Sequence, residues 1–201
     1  VPRPIANAAV VDAPRVERPL IRVAVVGTPS TGKSTLAQYL GRHYAAPVAL
    51  EFVRGFWDAH GGRIVGEDVP VIALGQMANE DEAAAAAHRS GARLVITDTE
   101  LLTTVLYADL LYPGYCPDWE REEAERRSRR YALYLLCDTD VPFVPDPQRG
   151  DDSPEERARY RERFRTMLTS RGLPFVDICG GWAEREQRAI TAIDRLLCAA
   201  A

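Results

Sequence analysis

A chain of 201 residues has room for one α/β domain with a substantial core, but not for two ordinary catalytic domains. Its composition is globular, with 46% hydrophobic and 27% charged residues, and a net charge of -4 argues against nucleic acid as the main partner. The cysteines Cys116, Cys137, Cys179 and Cys198 form no C-x-x-C pair, and His43, His60 and His88 have no ligand spacing, so neither a zinc site nor a redox dithiol is indicated. No apolar run is long enough to span a membrane and no basic-then-apolar leader is present; free thiols, no membrane partner and a cytoplasmic location are therefore expected.

Residues 1–19, rich in Pro, Ala and Val without a period, read as a mobile tail or linker remnant before a domain over 20–201. The apolar run Arg22–Val26 predicts the first strand, and Lys33 to about Tyr44 a helix. Pro47–Glu51 reads as a short strand with Glu51 at its end, and Gly61-Gly62 as a loop. Asp68 is placed to cap a helix with Pro70 in its first turn, running to His88 and ended by Gly91.

Ala92–Asp98 predicts the third strand. Helices follow over about Leu101–Leu111 and Trp119–Arg130, then a fourth strand over Tyr131–Cys137. Prolines 142, 145 and 147 with Gly150 mark an irregular loop. Pro154 opens a helix to about Ser170, Pro174–Ile178 is the fifth strand, and the last helix covers about Trp182–Leu197. Strands alternating with helices imply a five-stranded parallel sheet covered on both faces, with ligands at the carboxyl ends of the strands. Gly27, Glu51, Asp98 and Asp138 all fall at such ends.

Gly27-Thr28-Pro29-Ser30-Thr31-Gly32-Lys33-Ser34 matches G-x-x-x-x-G-K-[ST] between a strand and a helix, the context this phosphate-binding loop requires, and Thr35 follows it. Its glycines let successive N–H groups turn inward, and the helix behind it adds a positive dipole end. Lys33 can reach the β- and γ-phosphates, and Ser34 can hold Mg²⁺. Asp98 closes an apolar strand as the Walker B carboxylate does, near the metal; its other role would be to cap the next helix. Glu51 can accept the proton of an attacking hydroxyl or hold sugar hydroxyls, and Arg54 is either its functional neighbour or a surface ion-pair partner.

The segment Pro145–Arg157 reads as a closing lid. Arg149, in the loop, can swing onto the transferring phosphoryl; Arg157 can do the same or lie on a solvated helix face. Phe56, Trp57 and Trp119 either stack on a heteroaromatic ring or belong to the core, and Gln76 is grouped with the acceptor-side candidates. These features point to a P-loop enzyme with ATP and Mg²⁺ as cofactors and a small molecule as its second substrate. A nucleotide-dependent regulatory ATPase or switch is the reading from another class.

Gly27–Thr35, Glu51-Phe-Val-Arg54, Thr97–Thr104, Tyr134–Pro142 with Asp146-Pro-Gln-Arg149, and Gly181-Trp-Ala-Glu-Arg185 occur in this order. Together they resemble the ribosylnicotinamide kinase domain of the NadR-like P-loop kinases, a family whose stand-alone members often carry only an ATPase label. The resemblance implies a nucleoside/nucleotide-kinase-like fold with a lid. It implies transfer of the γ-phosphate of ATP to the 5′-hydroxyl of nicotinamide riboside, giving nicotinamide mononucleotide; other nucleosides or vitamins are alternative acceptors. By position, Glu51 resembles the strand-end acid of related kinases, and the turn carrying Trp182 and Arg185 resembles the adenine side of the site. A homodimer is compatible with such a fold.

Overall fold

The computed structural model describes residues 19–142 and 153–200. The loop with Arg149 and almost all of the N-terminal segment thus lie outside the described residues. Five strands, β1 (Ile21–Gly27), β2 (Val48–Ala49), β3 (Leu94–Asp98), β4 (Leu133–Cys137) and β5 (Phe175–Ile178), form one sheet in the order β2-β3-β1-β4-β5. Every pairing is parallel. The register sets Val25 beside Asp98 and Gly27 beside Cys137, so the ends of the three central strands converge.

Alternation along β1 feeds two cores. Val23 and Val25 face Leu36 and Leu40 of α1 (Lys33–His43) and Ile193 of α7 (Trp182–Ala199). Ala24 and Val26 face the opposite layer, built from α3 (Val69–Ser90), α4 (Leu101–Leu111), α5 (Asp118–Ser128) and α6 (Pro154–Ser170). A residue with both neighbours in the sheet and helices on both faces has little room for polar side chains, which is why β1, β3 and β4 are mostly apolar, with Arg22 near the start of β1 and Thr97-Asp98 at the end of β3 as the exceptions. Ser153 starts α6 with a capping box, its hydroxyl accepting from Glu156 N–H while the Glu156 carboxylate accepts from Ser153 N–H. The four cysteines are free thiols. Among the described residues no helix is long and apolar enough to cross a membrane.

Three local expectations are corrected. The second strand is only Val48–Ala49, because it pairs with β3 alone at the sheet edge and the chain turns away at Leu50. Glu51 is consequently the N-cap of an unforeseen helix, α2 (Phe52–Ala59). Asp68 does not cap α3 with its side chain. Its carboxylate accepts from Val65 N–H at 2.9 Å and closes a short 3₁₀ turn over Gly66–Asp68.

Candidate active site

The loop after β1 needs glycine at two positions. A Cβ on Gly27 (φ 143°) would sit 2.9 Å from the Cys137 carbonyl oxygen of β4, and one on Gly32 (φ 78°) would sit 2.3 Å from the Trp182 ring. Inside the loop, Thr31 Oγ1 donates to the Thr28 carbonyl at 2.8 Å, and Lys33 Nζ donates to the same oxygen at 3.0 Å. Thr28, Thr31 and Lys33 are buried, Pro29 and Lys33 line a cavity, Ser34 is half-buried at the start of α1, and Thr35 is exposed. Ser30 holds φ 53°, and its carbonyl accepts from the buried Arg157 of α6 at 3.3 Å. The helix-face alternative for Arg157 therefore does not describe where it lies.

Arg185 is 1% exposed. Its guanidinium donates to the carbonyls of Thr31 at 3.1 Å, Asp138 at 2.9 Å and Gly180 at 2.9 Å, and to the Asp140 carboxylate. One planar fork thus ties the phosphate loop to the chain leaving β4 and the turn before α7. Asp140 is held below its usual carboxylate range by the Gly180 N–H and the Arg185 guanidinium, which outweigh its burial. Trp182, 45% exposed, lies over Gly32 with its ring open to solvent.

Opposite the loop lies a cavity of about 550 Å³. Lys33, Glu51, Thr99 and Arg63 are among its polar lining groups, Trp57, Tyr107, Tyr112 and Tyr160 are its aromatic ones, and the loop with Gly62, Arg63 and Ile64 lines it too. That loop is tied back by Gly62 N–H to the Trp57 carbonyl and by Tyr112 Oη to the Ile64 carbonyl. The Glu51 side chain is 9% exposed; it accepts from Thr99 Oγ1 at 3.3 Å and lies 4.0 Å from Arg54 Nε.

Asp98, 2% exposed, ends β3 beside Val25. Thr99 follows with φ 66°, a conformation costly for a β-branched residue. Each of its polar groups is engaged: the N–H donates to Val25 O at 3.1 Å, the carbonyl accepts from Gln76 Nε2 at 2.7 Å, and the hydroxyl reaches Glu51. Glu100 caps α4, accepting from Leu102 N–H and Thr103 N–H, so capping, the alternative role for Asp98, falls to its neighbour two residues on. Burial, aided by the charge of Glu80, pushes the Glu100 carboxyl up to about 8. Glu80 itself accepts from Leu101 N–H at 3.0 Å and pairs with Arg127, and burial raises it too.

The remaining candidates are scattered. Gln76 is 2% exposed, and both ends of its amide bond backbone groups: Nε2 donates to Thr99 O, and Oε1 accepts from Phe52 N–H at 3.0 Å. Phe56 is buried and stacks on His60, with ring centroids 3.8 Å apart. Trp119 is exposed on α5 and does not line the cavity. Among the lining groups that sequence reasoning did not single out are Thr99, Arg63 and the three tyrosines. Thr99 carries no sequence signal, because a threonine does not announce a left-handed φ, and the tyrosines carry none, because aromatic residues read equally as core.

A parallel sheet of this order, with a phosphate loop leaving its central strand and a second cavity facing that loop, is a P-loop fold of the nucleoside- and nucleotide-kinase kind. Residues 22–185 match the AAA domain family, and the chain belongs to that family, as a NadR-like P-loop kinase domain. It is 27% identical over 165 residues to the trifunctional NAD biosynthesis/regulator protein NadR of Salmonella typhimurium and to that of Escherichia coli, over 78% of this chain and 37% of each relative. Among solved structures it is similar to NadR in complex with NAD and AMP-PNP (TM-score 0.64, 25% identity, 88% of this chain and 49% of that one). It is similar also to NadR in complex with NR (TM-score 0.64, 26% identity, 88% and 50%). The chain therefore spans about half, or less, of the NadR proteins it matches. Deoxyadenosine kinase from M. mycoides shares the fold at 11% identity, with a TM-score of 0.55 over 87% of this chain and 99% of that one.

Proposed function

We propose that the protein is an ATP-dependent kinase of a small nucleoside, moving the γ-phosphate to the 5′-hydroxyl, with nicotinamide riboside as the acceptor. The observation that carries this reading is the cavity at the phosphate loop, lined by the loop lysine Lys33 and by Glu51 with its Thr99 partner. A nucleotide switch needs the loop alone; a cavity of about 550 Å³ lined by the loop lysine and by the carboxylate of Glu51 serves an acceptor. The choice of acceptor is supported by the likeness to NadR and by aromatic walls suited to a flat heterocycle.

In this reading the loop N–H groups and Lys33 hold the β- and γ-phosphates. To reach them, Lys33 Nζ leaves the Thr28 carbonyl that it now meets. Arg157, already on the Ser30 carbonyl, is positioned to follow the transferring group, and Trp182 offers its open face to the adenine. Glu51 accepts the proton of the 5′-hydroxyl as the new O–P bond forms and the bond from the γ-phosphorus to the leaving ADP oxygen breaks. The donor set fits Mg²⁺: Ser34 and Asp98 offer one hydroxyl and one carboxylate. These two residues would hold the ion. Bound there, Mg²⁺ supplies charge neutralisation at the phosphates. Arg149 is proposed as a further phosphoryl contact.

The test is product formation. Incubation with MgATP and nicotinamide riboside should yield nicotinamide mononucleotide and ADP in equal amounts. Absence of the mononucleotide, with another nucleoside of a panel turned over, would reassign the acceptor; no phosphorylated product from any acceptor would refute the kinase reading.

A further inference from the structure

We propose that Gln76 is a positioning residue that sets the geometry of the acceptor-side acid, an inference that rests on the reading of Glu51 as that acid. Gln76 sits in mid-α3, and its amide is divided between two backbone segments. Oε1 accepts from Phe52 N–H, the first helical residue of α2 and one of the donors that a helix start leaves without an internal partner. Nε2 donates to the carbonyl of Thr99, the residue in the left-handed conformation after Asp98. Glu51 lies between these attachments: it precedes Phe52 in the chain, and its carboxylate accepts from the Thr99 hydroxyl. A single buried amide therefore fixes both the backbone that carries the acid and the residue that orients its oxygen.

The neighbouring position is consistent with this. A Cβ on Gly75 would meet the Phe52 ring at 2.3 Å, so α2 is seated directly on the α3 backbone one residue before Gln76. The left-handed Thr99 persists because three separate groups over-determine it, and Gln76 supplies one of them. Being nearly inaccessible and bonded at both ends, Gln76 acts on the substrate through Glu51 rather than by touching it.

Two readouts decide the matter. In the ligand-free protein, Gln76→Met should speed amide hydrogen exchange at Phe52 by about tenfold or more, while β1 and α7 amides stay as in the wild type. Gln76→Glu keeps an acceptor for Phe52 N–H but loses the donor to Thr99, so it should leave Phe52 protected. In the kinase assay both variants should lower kcat by about tenfold with the KM for ATP within about twofold. Added to Glu51→Gln, either should cost nothing more, because the pathway through Glu51 is already broken. Unchanged exchange at Phe52 in Gln76→Met, or kcat losses that multiply with those of Glu51→Gln, would overturn the proposal. If the wild-type protein phosphorylates no acceptor, the kinase reading fails by itself and the exchange measurement still decides the role of Gln76.

Discussion

The two sides of the cleft are held by opposite means. On the donor side, one contiguous loop presents its own backbone, and its shape is imposed by two glycines and by buried arginines from α6 and α7 bonded to its outward carbonyls. On the acceptor side no segment is sufficient. Glu51, Thr99, Gln76 and the aromatic walls, proposed above as the acceptor side, come from four helices and three connections; Gln76 bonds two backbone groups and Glu51 meets the Thr99 hydroxyl. The difference follows from the chemistry each side faces. A phosphate chain is the same in every nucleotide and can be gripped by N–H groups; an acceptor differs between enzymes and is recognised by side chains on exchangeable elements.

Substitutions can separate the two sides. The largest effect is expected from Lys33→Ala, which should weaken ATP binding and lower turnover together, turnover by about 10²–10³-fold; titration calorimetry and initial rates check both. Arg185→Leu should come next. It takes the guanidinium away from three carbonyls and from Asp140, which keeps the Gly180 N–H, so a loss of about 3 kcal/mol is expected, near 10 °C in Tm, accompanied by weaker ATP binding. Thermal denaturation with and without ATP measures it.

On the acceptor side, Gly75→Ala should push Phe52 and α2 away from α3, at a cost of about 1–3 kcal/mol. Turnover should fall while ATP affinity stays, the reverse of the Arg185 pattern.

How far these features were legible follows the same division. The phosphate loop was readable because its residues are consecutive and its flanks are regular, and Asp98 because an apolar strand visibly ends on it. The extents of α4 and of α6 were readable from Pro113-Gly114 beyond the one and Pro154 at the start of the other. The acceptor side was not, because its order is long-range. Gln76 and Thr99 are 23 residues apart, and neither carries a local pattern that announces a bond between them. Arg185 was assigned to the adenine side by resemblance; its bond to the Thr31 carbonyl, 154 residues earlier, has no local pattern, because only the fold brings the two together. Helix α2 escaped because its eight residues include Gly55 and Val53, weak helix formers, and it is held by Gln76 and by packing on Gly75 rather than by propensity.

A separate effect concerns pH. With its carboxyl held near 8 in the fold against an ordinary value of 4.5, Glu100 keeps its proton where the unfolded chain has released it. Its contribution to stability is therefore complete below about pH 4.5 and is lost as pH rises towards 8. Glu100→Gln should flatten denaturant-derived stability across that window, while the helix cap, needing only an acceptor, is retained.

Glu51→Gln tests the central claim most directly, because it alters the acceptor side by one atom and leaves the donor loop intact. With ATP affinity and steady-state turnover measured on the same preparation, the account predicts a dissociation constant within about twofold of the wild type and a kcat lower by about 10²-fold or more. Turnover equal to the wild type would contradict it, since a cleft without acceptor chemistry has no use for that carboxylate.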